Sequence, residues 1–390
     1  MQILKSAAAL LALAFAVSGC GVGNQKSPDI SSTQADELEK AVEDYIQKFP
    51  YQDTYNYAVK YTGGNPARFN TWVLGAEPAL VKAGEDKVVR MNNDTYYKMA
   101  FLLLDQGPVI LESANPSRKR FSSFQLIDDH NVNFRNLIHP SGKYTLYYGK
   151  KPESVQGEAV ESPSPLAVVI VRVEVKDMND AKDVEEAKSV FNGITINGPV
   201  ITEFPKLDLL GGFDKKVEAE ALKRIDQTFE NTDFSKMIAG PGDVPGKVAY
   251  LQLAAGTKGG WGGPVTSHSA YDTVFFDSQK QEMKGSNGTY TITTEEPPVD
   301  AFWSITVYDT ERGGYFHPNA QNRYHINNTS AVKNDDGTVT FTFKQKCEAS
   351  DRNCLEVPPG RFDYVVRYYL PKEPIRSGKW KMPKAVLQKT

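Results

Sequence analysis

The stretch Pro297–Asp309, which reads PPVDAFWSITVYD, decides the fold class. It contains a period-two alternation, with one face formed by Trp303, Ile305 and Val307 and the other by Phe302, Ser304 and Thr306. Alternation that is rich in aromatic and β-branched residues is typical of a β-strand. The stretch therefore predicts a strand of a β-rich domain.

The rest of the last third repeats this pattern. Thr338–Phe343 and Arg361–Leu370 are strand-like runs, and the turn-forming segments Asn334–Gly337 and Pro358–Gly360 precede them. Short strands between Gly, Asn and Asp turns are typical of sandwich or jelly-roll domains rather than of alternating β-α units. We therefore expect a C-terminal β-sandwich.

The first half of the chain also contains strand-like runs. Phe121–Ile127, Lys143–Tyr148 and Leu166–Val175 are the clearest of them. The last run is so uniformly apolar that we expect both of its faces to be covered. These runs predict a first β-rich domain that ends near Val175.

Helical patterns lie before and between the two β-rich regions. A cap at Thr33–Asp36 precedes a helical face that extends from Leu38 to Phe49, and Asp180–Phe191 and Lys215–Phe234 predict two further helices. The glycine-rich segment Gly256–Gly263 lacks the GxxxxGK[ST] order of a phosphate-binding loop. We interpret it as a mobile loop.

These patterns predict a mainly β (α+β) fold, with two β-sandwich or jelly-roll-like domains and a helical insertion between them. The chain has 390 residues, which is more than one hydrophobic core usually organises. We place an N-terminal β-rich domain at residues 33–176, the helical insertion at 177–247 and the C-terminal sandwich at 248–390.

The composition is that of a globular protein without a strongly charged surface. Charged residues make up 24% of the chain, and the formal net charge is −3. Such a chain has no basic field to attract nucleic acid and no polybasic patch for an anionic membrane. Nucleic-acid binding is therefore excluded.

The N-terminal segment resembles a bacterial lipoprotein signal peptide. Lys5 precedes the apolar run Ala7–Val17, and Val17–Cys20 closes the run with small residues before a cysteine, as a lipobox does. The resemblance implies cleavage before Cys20 and lipidation of its sulfur and its new amino group, which give stable anchoring. An ordinary secretory signal is the alternative.

We expect residues 1–20 to be the signal peptide and residues 21–32, rich in Gly, Ser, Asn and Pro, to be a flexible tether. Gly21, rather than Asp, follows the cysteine. By analogy with lipoprotein sorting in enteric bacteria, this residue directs the anchor to the outer membrane. We predict a lipid-anchored protein of the bacterial cell envelope, at the outer membrane and facing the periplasm.

Two cysteines, Cys347 and Cys354, remain beyond Cys20. In an oxidising envelope such a pair favours a local disulfide over a metal site, because no further cysteine completes a thiolate set. We expect the disulfide to fix the loop between two strands. A free thiol pair is the alternative.

Two parts of the chain together resemble a known pair of domains. The first part resembles the domain of unknown function 1254 in Asn92–Tyr96 (NNDTY), Gly107–Val109 and Phe124–Asp128 (FQLID). The second part resembles its usual partner, the domain of unknown function 1214, in Pro297–Asp309, Asn319, Asn322–Tyr324 and Tyr368–Lys372. The resemblance implies two β-sandwich modules with a helical insertion, often in a homo-oligomer, and no established reaction.

The best candidate site is a polar cluster that combines Asn92, Asn93, Asp94 and Thr95 with Gln125, Asp128, Asp129 and His130. The second group ends a predicted strand, where side chains converge at the mouth of a sandwich. If Asp94 and His130 meet, the carboxylate orients the imidazole as a general base. The alternative is that Asn92–Thr95 is a turn bonded to its own backbone, with His130 solvated.

A second candidate site lies in the segment His317–His325. Arg323 has the planar guanidinium that clamps a carboxylate or sulfate, and Asn322 has an amide that reads hydroxyl groups. The alternative is that Arg323 caps carbonyl groups or pairs with Asp300 or Asp309.

Arg172 lies inside the apolar run Leu166–Val175, so we expect it to form a structural ion pair. The sequence contains no G-x-S-x-G and no H-E-x-x-H motif, and its five histidines show no metal spacing beyond the weak run Asp128–His130. We predict no cofactor and no metal.

Three functions remain open. The first is a lipid-anchored envelope protein that binds a small polar or glycan-like ligand, and we favour it. The second is a hydrolase or lyase that uses Asp94 and His130 as its acid–base pair. The third is an oligomeric envelope scaffold without a ligand.

Overall fold

The computed structural model describes residues 30–85, 90–204, 206–243, 249–348 and 350–388. The predicted signal peptide, the lipidation site Cys20 and the tether up to residue 29 lie outside the described residues. The chain divides into two compact units, residues 1–40 and 41–390. The described part of the first unit is the start of helix α1 (Ile30–Thr62), which begins three residues before the predicted cap.

The second unit is mainly β, and its described residues contain sixteen strands. The strands are β1 (Thr95–Leu103), β2 (Val109–Ser113), β3 (Ser122–Asp128), β4 (Asn133–Ile138), β5 (Gly142–Tyr148), β6 (Glu158–Ser162), β7 (Leu166–Glu174), β8 (Ile194–Asn197), β9 (Ser269–Val274), β10 (Tyr290–Thr294), β11 (Trp303–Asp309), β12 (His325–Asn327), β13 (Val339–Lys344), β14 (Cys354–Glu356), β15 (Phe362–Tyr369) and β16 (Val386–Leu387). They form four four-stranded sheets: β1-β7-β3-β4 (sheet 1), β6-β5-β2-β8 (sheet 2), β12-β11-β15-β9 (sheet 3) and β14-β13-β10-β16 (sheet 4). The predicted mainly β fold is confirmed.

Sheets 1 and 2 share the first hydrophobic core. Leu102 of β1 and Val169 of β7 belong to this core together with Leu111 and Leu146 of sheet 2. Part of the opposite face of sheet 1 packs against α1, through Ala58. Because both faces of the sheet are covered, all nine residues of β7 are buried, as the apolar sequence predicts.

Sheets 3 and 4 share the second core. Trp303 and Ile305 of β11 and Val366 of β15 pack with Phe341 of β13 in this core. The predicted alternation is therefore confirmed for β11. The residues between them, such as Ser304, point away from this core.

Helices form a third packing region. Helices α2 (Ala181–Asn192) and α3 (Lys215–Asn231) occur where the sequence predicts them, and α4 (Tyr250–Gly260) and the short α5 (Glu373–Arg376) follow. Short 3-10 helices lie at Pro66–Arg68, Phe234–Met237 and Gly285–Asn287. Ile46 of α1 packs in one cluster with Ile225 of α3 and Ala254 of α4. Within the part of the chain that the structure describes, no helix is both long and apolar enough to cross a bilayer.

The glycine-rich segment is helical up to Gly260, so the predicted mobile loop is wrong there. A Cβ atom on Gly256 would lie 2.5 Å from the Met237 carbonyl oxygen, and one on Gly259 would lie 2.0 Å from the Phe229 ring. These glycines let α4 approach its neighbours closely. The glycine content therefore reflects close packing rather than flexibility.

Strand β8 lies inside the segment 177–247 that the sequence predicts as a helical insertion. It pairs antiparallel with β2, with Leu111 opposite Ile196. Sheet 2 therefore includes residues beyond Val175.

The predicted disulfide between Cys347 and Cys354 is present, with 6.0 Å between the Cα atoms. Cys354 is the first residue of β14, which pairs parallel with β13, and Cys347 follows the end of β13. The bond therefore fixes the loop between these two strands.

Candidate functional site

Sheets 1 and 3 face each other through a layer of polar side chains. Since alternate residues of β11 and β15 fill the second core, Ser304, Arg367 and their neighbours point the other way, toward the first half of the chain. We call the following set the polar layer: Asn92, Asp94, Tyr97, Arg172, His268, Tyr271, Ser304, Thr306, Tyr308, His325, Arg367 and Tyr369.

Asp94 is fully buried, and both of its carboxylate oxygens accept hydrogen bonds from the other half of the chain. The Ser304 hydroxyl donates to Oδ2, and the Tyr369 hydroxyl donates to Oδ1 at 3.0 Å. Asn92 fixes the backbone just before β1, because its Oδ1 accepts from the Asp94 backbone N–H at 2.6 Å. The predicted turn is therefore present, and it presents a buried carboxylate to sheet 3.

Arg367 links β15 to β11 and to the segment before β1. Its Nη1 donates to Thr306 Oγ1 at 3.1 Å, and its Nη2 donates to the Tyr308 hydroxyl at 2.9 Å and to the Arg90 carbonyl at 2.8 Å. All three acceptors are neutral. The guanidinium charge is therefore hydrogen-bonded but not neutralised by these partners.

Arg172 forms no ion pair with any residue that the structure describes, so the predicted structural ion pair is wrong. Its Nη1 donates to Gln125 Oε1 at 2.6 Å, and its guanidinium lies 5.3 Å from the centre of the Tyr97 ring. Asp94 forms no ion pair with it; the carboxylate accepts from Ser304 and Tyr369 instead. Gln125 in turn donates to the Gly262 and Gly263 carbonyl groups at 3.1 Å.

Two histidines of the layer are neutral at physiological pH. Burial, together with the nearby Arg172 guanidinium, lowers the pKa of His268 to about 3. Burial also lowers the pKa of His325. Burial raises the pKa of Tyr308 to about 12, and it also raises the pKa of Tyr369 well above its ordinary value. The charges within the layer are therefore two guanidinium groups and one carboxylate, which leaves one positive charge in excess.

Several buried polar atoms in or beside the layer have no hydrogen-bond partner among the described residues. They are Asn93 Oδ1 and Nδ2, Thr95 Oγ1, Ser123 Oγ, Arg172 Nε, His268 Nε2 and His325 Nδ1. Tyr97, Tyr271 and His325 are only half-buried, so solvent reaches part of the layer. This combination of unpaired polar atoms and accessible surface distinguishes the layer from the two apolar cores.

The structure separates Asp94 from His130. Thr95, next to Asp94, pairs with Glu174 at one end of β7, whereas Asp128 pairs with Ala167, seven residues away along the same strand. At about 3.3 Å per residue this is roughly 23 Å. The predicted acid–base pair is therefore wrong, because its two members lie at opposite ends of sheet 1.

The other half of that candidate cluster forms a turn. Asp128 Oδ1 accepts from the backbone N–H groups of His130 and Val132, at 2.9 and 2.8 Å. His130 Nδ1 lies 2.6 Å from Asp129 Oδ1, and its ring packs 5.4 Å from that of Tyr51. Burial raises the pKa of Asp128 to about 6; the His130 pKa, which burial alone lowers, is raised overall by the adjacent Asp129.

The second candidate segment is also mainly a turn. Asn322 is exposed, and its Oδ1 accepts from the Tyr324 hydroxyl at 2.9 Å. Asn319 Nδ2 donates to the Arg323 carbonyl oxygen, and Asn319 Oδ1 accepts from the Arg323 backbone N–H, both at 3.0 Å. Asp300 pairs with Lys372 instead of Arg323. Only His325 of this segment lies in the polar layer.

The sequence reasoning missed Tyr97, His268, Tyr271 and Arg367. All four lie in or beside strands, where the aromatic content predicts a core. The available signal was a charged or polar residue on the face opposite to the apolar one, as Arg367 stands between Val366 and Tyr368. Among the described residues, no group of three or more His, Cys, Asp or Glu side chains is placed to hold a metal ion.

Comparisons with known proteins match both halves of the chain. The family described as "Protein of unknown function (DUF1254)" matches residues 73–196, and "Protein of unknown function (DUF1214)" matches residues 268–373. These matches include Asp94 and Arg172 in the first domain and His268 and Arg367 in the second. No curated protein matches the chain in sequence.

The solved structures that match this chain include the following two. The VPA0106 protein from Vibrio parahaemolyticus is 19% identical, with a TM-score of 0.76, over 90% of this chain and 100% of that one. An uncharacterised protein from Burkholderia cenocepacia is 12% identical, with a TM-score of 0.46, over 91% of this chain and 95% of that one. At such identities the first similarity shows the fold alone.

Proposed function

We propose that this chain, which belongs to the family of proteins that combine a DUF1254 domain with a DUF1214 domain, binds a small polar ligand in the polar layer. The observation that carries the proposal is the set of buried polar atoms without a partner among the described residues, on Asn93, Thr95, Arg172 and His268. An unpaired buried polar group costs about 1–3 kcal/mol. A layer that only joined two sheets would be expected to pair such groups or to lack them.

The chemistry of the layer suits a ring-shaped ligand that carries hydroxyl groups. The Tyr271 hydroxyl has no hydrogen-bond partner among the described residues, and Tyr97 offers an accessible ring. Aromatic faces with nearby polar groups accommodate a molecule that is apolar on one side and polar at its edge. Sugars and sugar acids have this character, so we propose a glycan-like ligand.

The proposal is tested by thermal unfolding of residues 21–390 against a panel of sugars, sugar acids and small aromatic acids. A ligand at ~100 times its dissociation constant adds ~2.7 kcal/mol to the free energy of unfolding. We expect Tyr271→Phe, which removes only an unpaired hydroxyl, to keep the stability of the free protein and to reduce the ligand-induced shift. Tyr148→Phe, at an exposed tyrosine of sheet 2, is the matched control. A flat panel, or a shift that Tyr271→Phe leaves unchanged, would contradict binding in the layer.

We further propose that the protein is anchored in the bacterial envelope through Cys20. The lipobox-like sequence supports this proposal, and so does the Cys347–Cys354 disulfide, because such bonds persist in oxidising compartments. Cys20→Ser is expected to abolish metabolic labelling with a fatty acid. Labelling that persists in the variant would contradict the anchor.

A homo-oligomer is proposed as the working assembly. Phe275 and Phe276, which directly follow β9, support this proposal. Their side chains are 42% and 47% exposed, and adjacent exposed aromatic side chains are typical of an interaction surface. Light scattering on the purified protein tests the proposal. A monomer at micromolar concentration would contradict it.

A further inference from the structure

Arg172 is a buried cation with no anion beside it among the described residues. It is 4% exposed, its Nη1 uses a neutral amide oxygen, and its Nε has no partner in the described part of the chain. A buried charge without a counterion is strongly disfavoured unless a binding partner compensates it. We therefore expect the group that compensates the Arg172 charge to come from outside the described residues.

The groups around Arg172 are the Tyr97 and Ser123 hydroxyls and the His268 imidazole, each of which is able to donate a hydrogen bond to a ligand. Ser123 lies directly opposite Arg172 in the β3–β7 pairing, is fully buried, and has an unpaired hydroxyl. His268 lies close enough that the guanidinium depresses its pKa, and its Nδ1 is 2.9 Å from Ser269 Oγ. When Ser269 donates to Nδ1, the proton of His268 sits on the unpaired Nε2.

The one carboxylate and the second guanidinium of the layer already have partners. Asp94 accepts from Ser304 and Tyr369, and Arg367 is bonded to neutral oxygens. The nearby pair Arg90–Asp363 is self-contained, with Arg90 Nε 2.8 Å from Asp363 Oδ1. The layer thus has unpaired donors and an excess positive charge at one place, around Arg172.

We infer that Arg172, Ser123 and His268 form an anion subsite, and that the ligand of the polar layer carries a carboxylate group there. The inference rests on the proposed function and specifies the chemical class of its ligand. A planar guanidinium binds a carboxylate with charge-assisted hydrogen bonds, which are about twice as strong as neutral ones. The Ser123 hydroxyl and the His268 imidazole supply further donors.

The first test compares acids with neutral analogues of the same shape. Benzoate with benzamide, and D-glucuronate with D-glucose, are titrated into residues 21–390 by calorimetry, with sulfate and phosphate as separate arms. We expect an acid to bind at least about tenfold more tightly than its neutral analogue, a difference that corresponds to one charge-assisted hydrogen bond. Binding of sulfate or phosphate in preference to both acids would overturn the assignment of a carboxylate.

Two adjacent serines provide a matched pair of variants. Ser123→Ala removes the unpaired hydroxyl beside Arg172, whereas Ser122→Ala removes a second buried, unpaired hydroxyl on the next residue of β3, which points to the other face of sheet 1. We expect Ser123→Ala to weaken acid binding about five- to tenfold, as loss of one hydrogen bond does, and Ser122→Ala to leave it unchanged. Equal effects of the two variants would overturn the subsite.

The third test is made on the free protein and needs no ligand. Arg172→Met is expected to keep or raise the melting temperature of the free protein, because a buried uncompensated charge is replaced by an apolar side chain. A melting temperature well below that of the wild type would overturn the inference, since it would mean that Arg172 is balanced within the protein.

Bromide identifies the site directly. In wild-type crystals soaked in sodium bromide, we expect an anomalous peak in contact with the Arg172 guanidinium, and in Arg172→Met crystals we expect none there. Bromide sites elsewhere with none at Arg172 would overturn the inference. If neutral ligands still stabilise the wild type and lose that effect in Tyr271→Phe, the proposed function stands while the anion subsite falls.

Discussion

Individual side chains hold the two facing sheets together, and Asp94 is the most connected of them. It follows Asn92, whose amide nitrogen also donates to the Tyr97 hydroxyl at 3.0 Å. The carboxylate joins this turn to Ser304 and Tyr369, which are more than two hundred residues away in the sequence. Its primary role in the free protein is therefore structural.

Asp94→Asn is expected to destabilise the protein by about 1–3 kcal/mol, because it removes the charge from two buried hydrogen bonds and places an amide donor against a donor. Urea unfolding measures this change. Asp335→Asn, at an exposed carboxylate in a turn, is the control and should be neutral. An Asp94→Asn variant as stable as the wild type would mean that these hydrogen bonds contribute little.

His268 makes the stability dependent on pH. Burial and Arg172 lower its pKa to about 3 in the folded protein, whereas an unfolded histidine titrates near pH 6.5. Its stabilising contribution is therefore fully present above about pH 6.5 and is lost as the pH falls toward 3. Between pH 6.5 and pH 4 the loss amounts to about 3 kcal/mol.

Unfolding of the wild type and of His268→Gln at pH 7, 5.5 and 4 checks this dependence. The carboxyl groups of the half-buried Asp53 and the buried Asp128, each with its pKa raised to about 6, act in the opposite direction, since protonation favours their folded state. They are common to both proteins and cancel in the difference. Parallel pH profiles for the two proteins would contradict a neutral, buried His268.

At this scale the sequence identified Asn92 and Asp94 through a motif, but it gave them the wrong partner. His130 is close to Asp128 and Asp129 in both sequence and space, and it never approaches Asp94. Arg172 was recognised as unusual because a charged residue interrupts an apolar strand. That its counterion is missing among the described residues depends on side-chain packing, which a single sequence does not contain.

The strands were more predictable than the residues of the site. β3, β5, β7, β11, β13 and β15 all occur where alternation or a long apolar run indicates them. These patterns follow from the period of two that any strand with a buried face must obey. The sequence does not predict helix α4, because its glycines lower the local helix propensity. Glycine is needed there because Met237 and Phe229 leave no room for a side chain, and these contacts are tertiary.

The variant Gly256→Ala separates the effect of helix propensity from the effect of tertiary packing. Alanine favours a helix over glycine by about 1 kcal/mol, but its Cβ would lie 2.5 Å from the Met237 carbonyl oxygen. We expect the steric effect to prevail and to destabilise the protein by about 1–3 kcal/mol in urea unfolding. Gly212→Ala, where nothing lies within 4 Å of the new atom, is the control. A more stable Gly256→Ala variant would show that α4 can move away.

The disulfide acts on the β13–β14 connection. Cys347 and Cys354 are separated by seven positions, so the bond closes a short loop. The chain-entropy relation gives about 2 kcal/mol for a loop of this length. The double variant Cys347→Ser/Cys354→Ser should lose about that much in urea unfolding, and reductant should have the same effect on the wild type. If reductant leaves the wild type unchanged, the bond does not stabilise the fold.

On the scale of the whole molecule, the polar layer exists because two sandwiches each turn one sheet face toward the other. The first contributes Arg172 and Tyr97, and the second contributes Tyr271, Arg367 and His268. Each strand has one apolar face, as a strand that contributes to a single hydrophobic core does. Only the docking of the two sheets turns the remaining faces into one site, so this site is a tertiary property that the strand patterns alone do not predict.

The most direct measurement is a crystallographic fragment screen of residues 21–390 with the sugars, sugar acids and aromatic acids of the panel. Ligand density between Tyr97, Tyr271 and Arg172, with polar atoms paired to the unpaired donors, is the result we predict. If well-diffracting crystals instead show ordered water satisfying these atoms in every soak, and no fragment enters the polar layer, the claim that the layer binds a small polar ligand is contradicted.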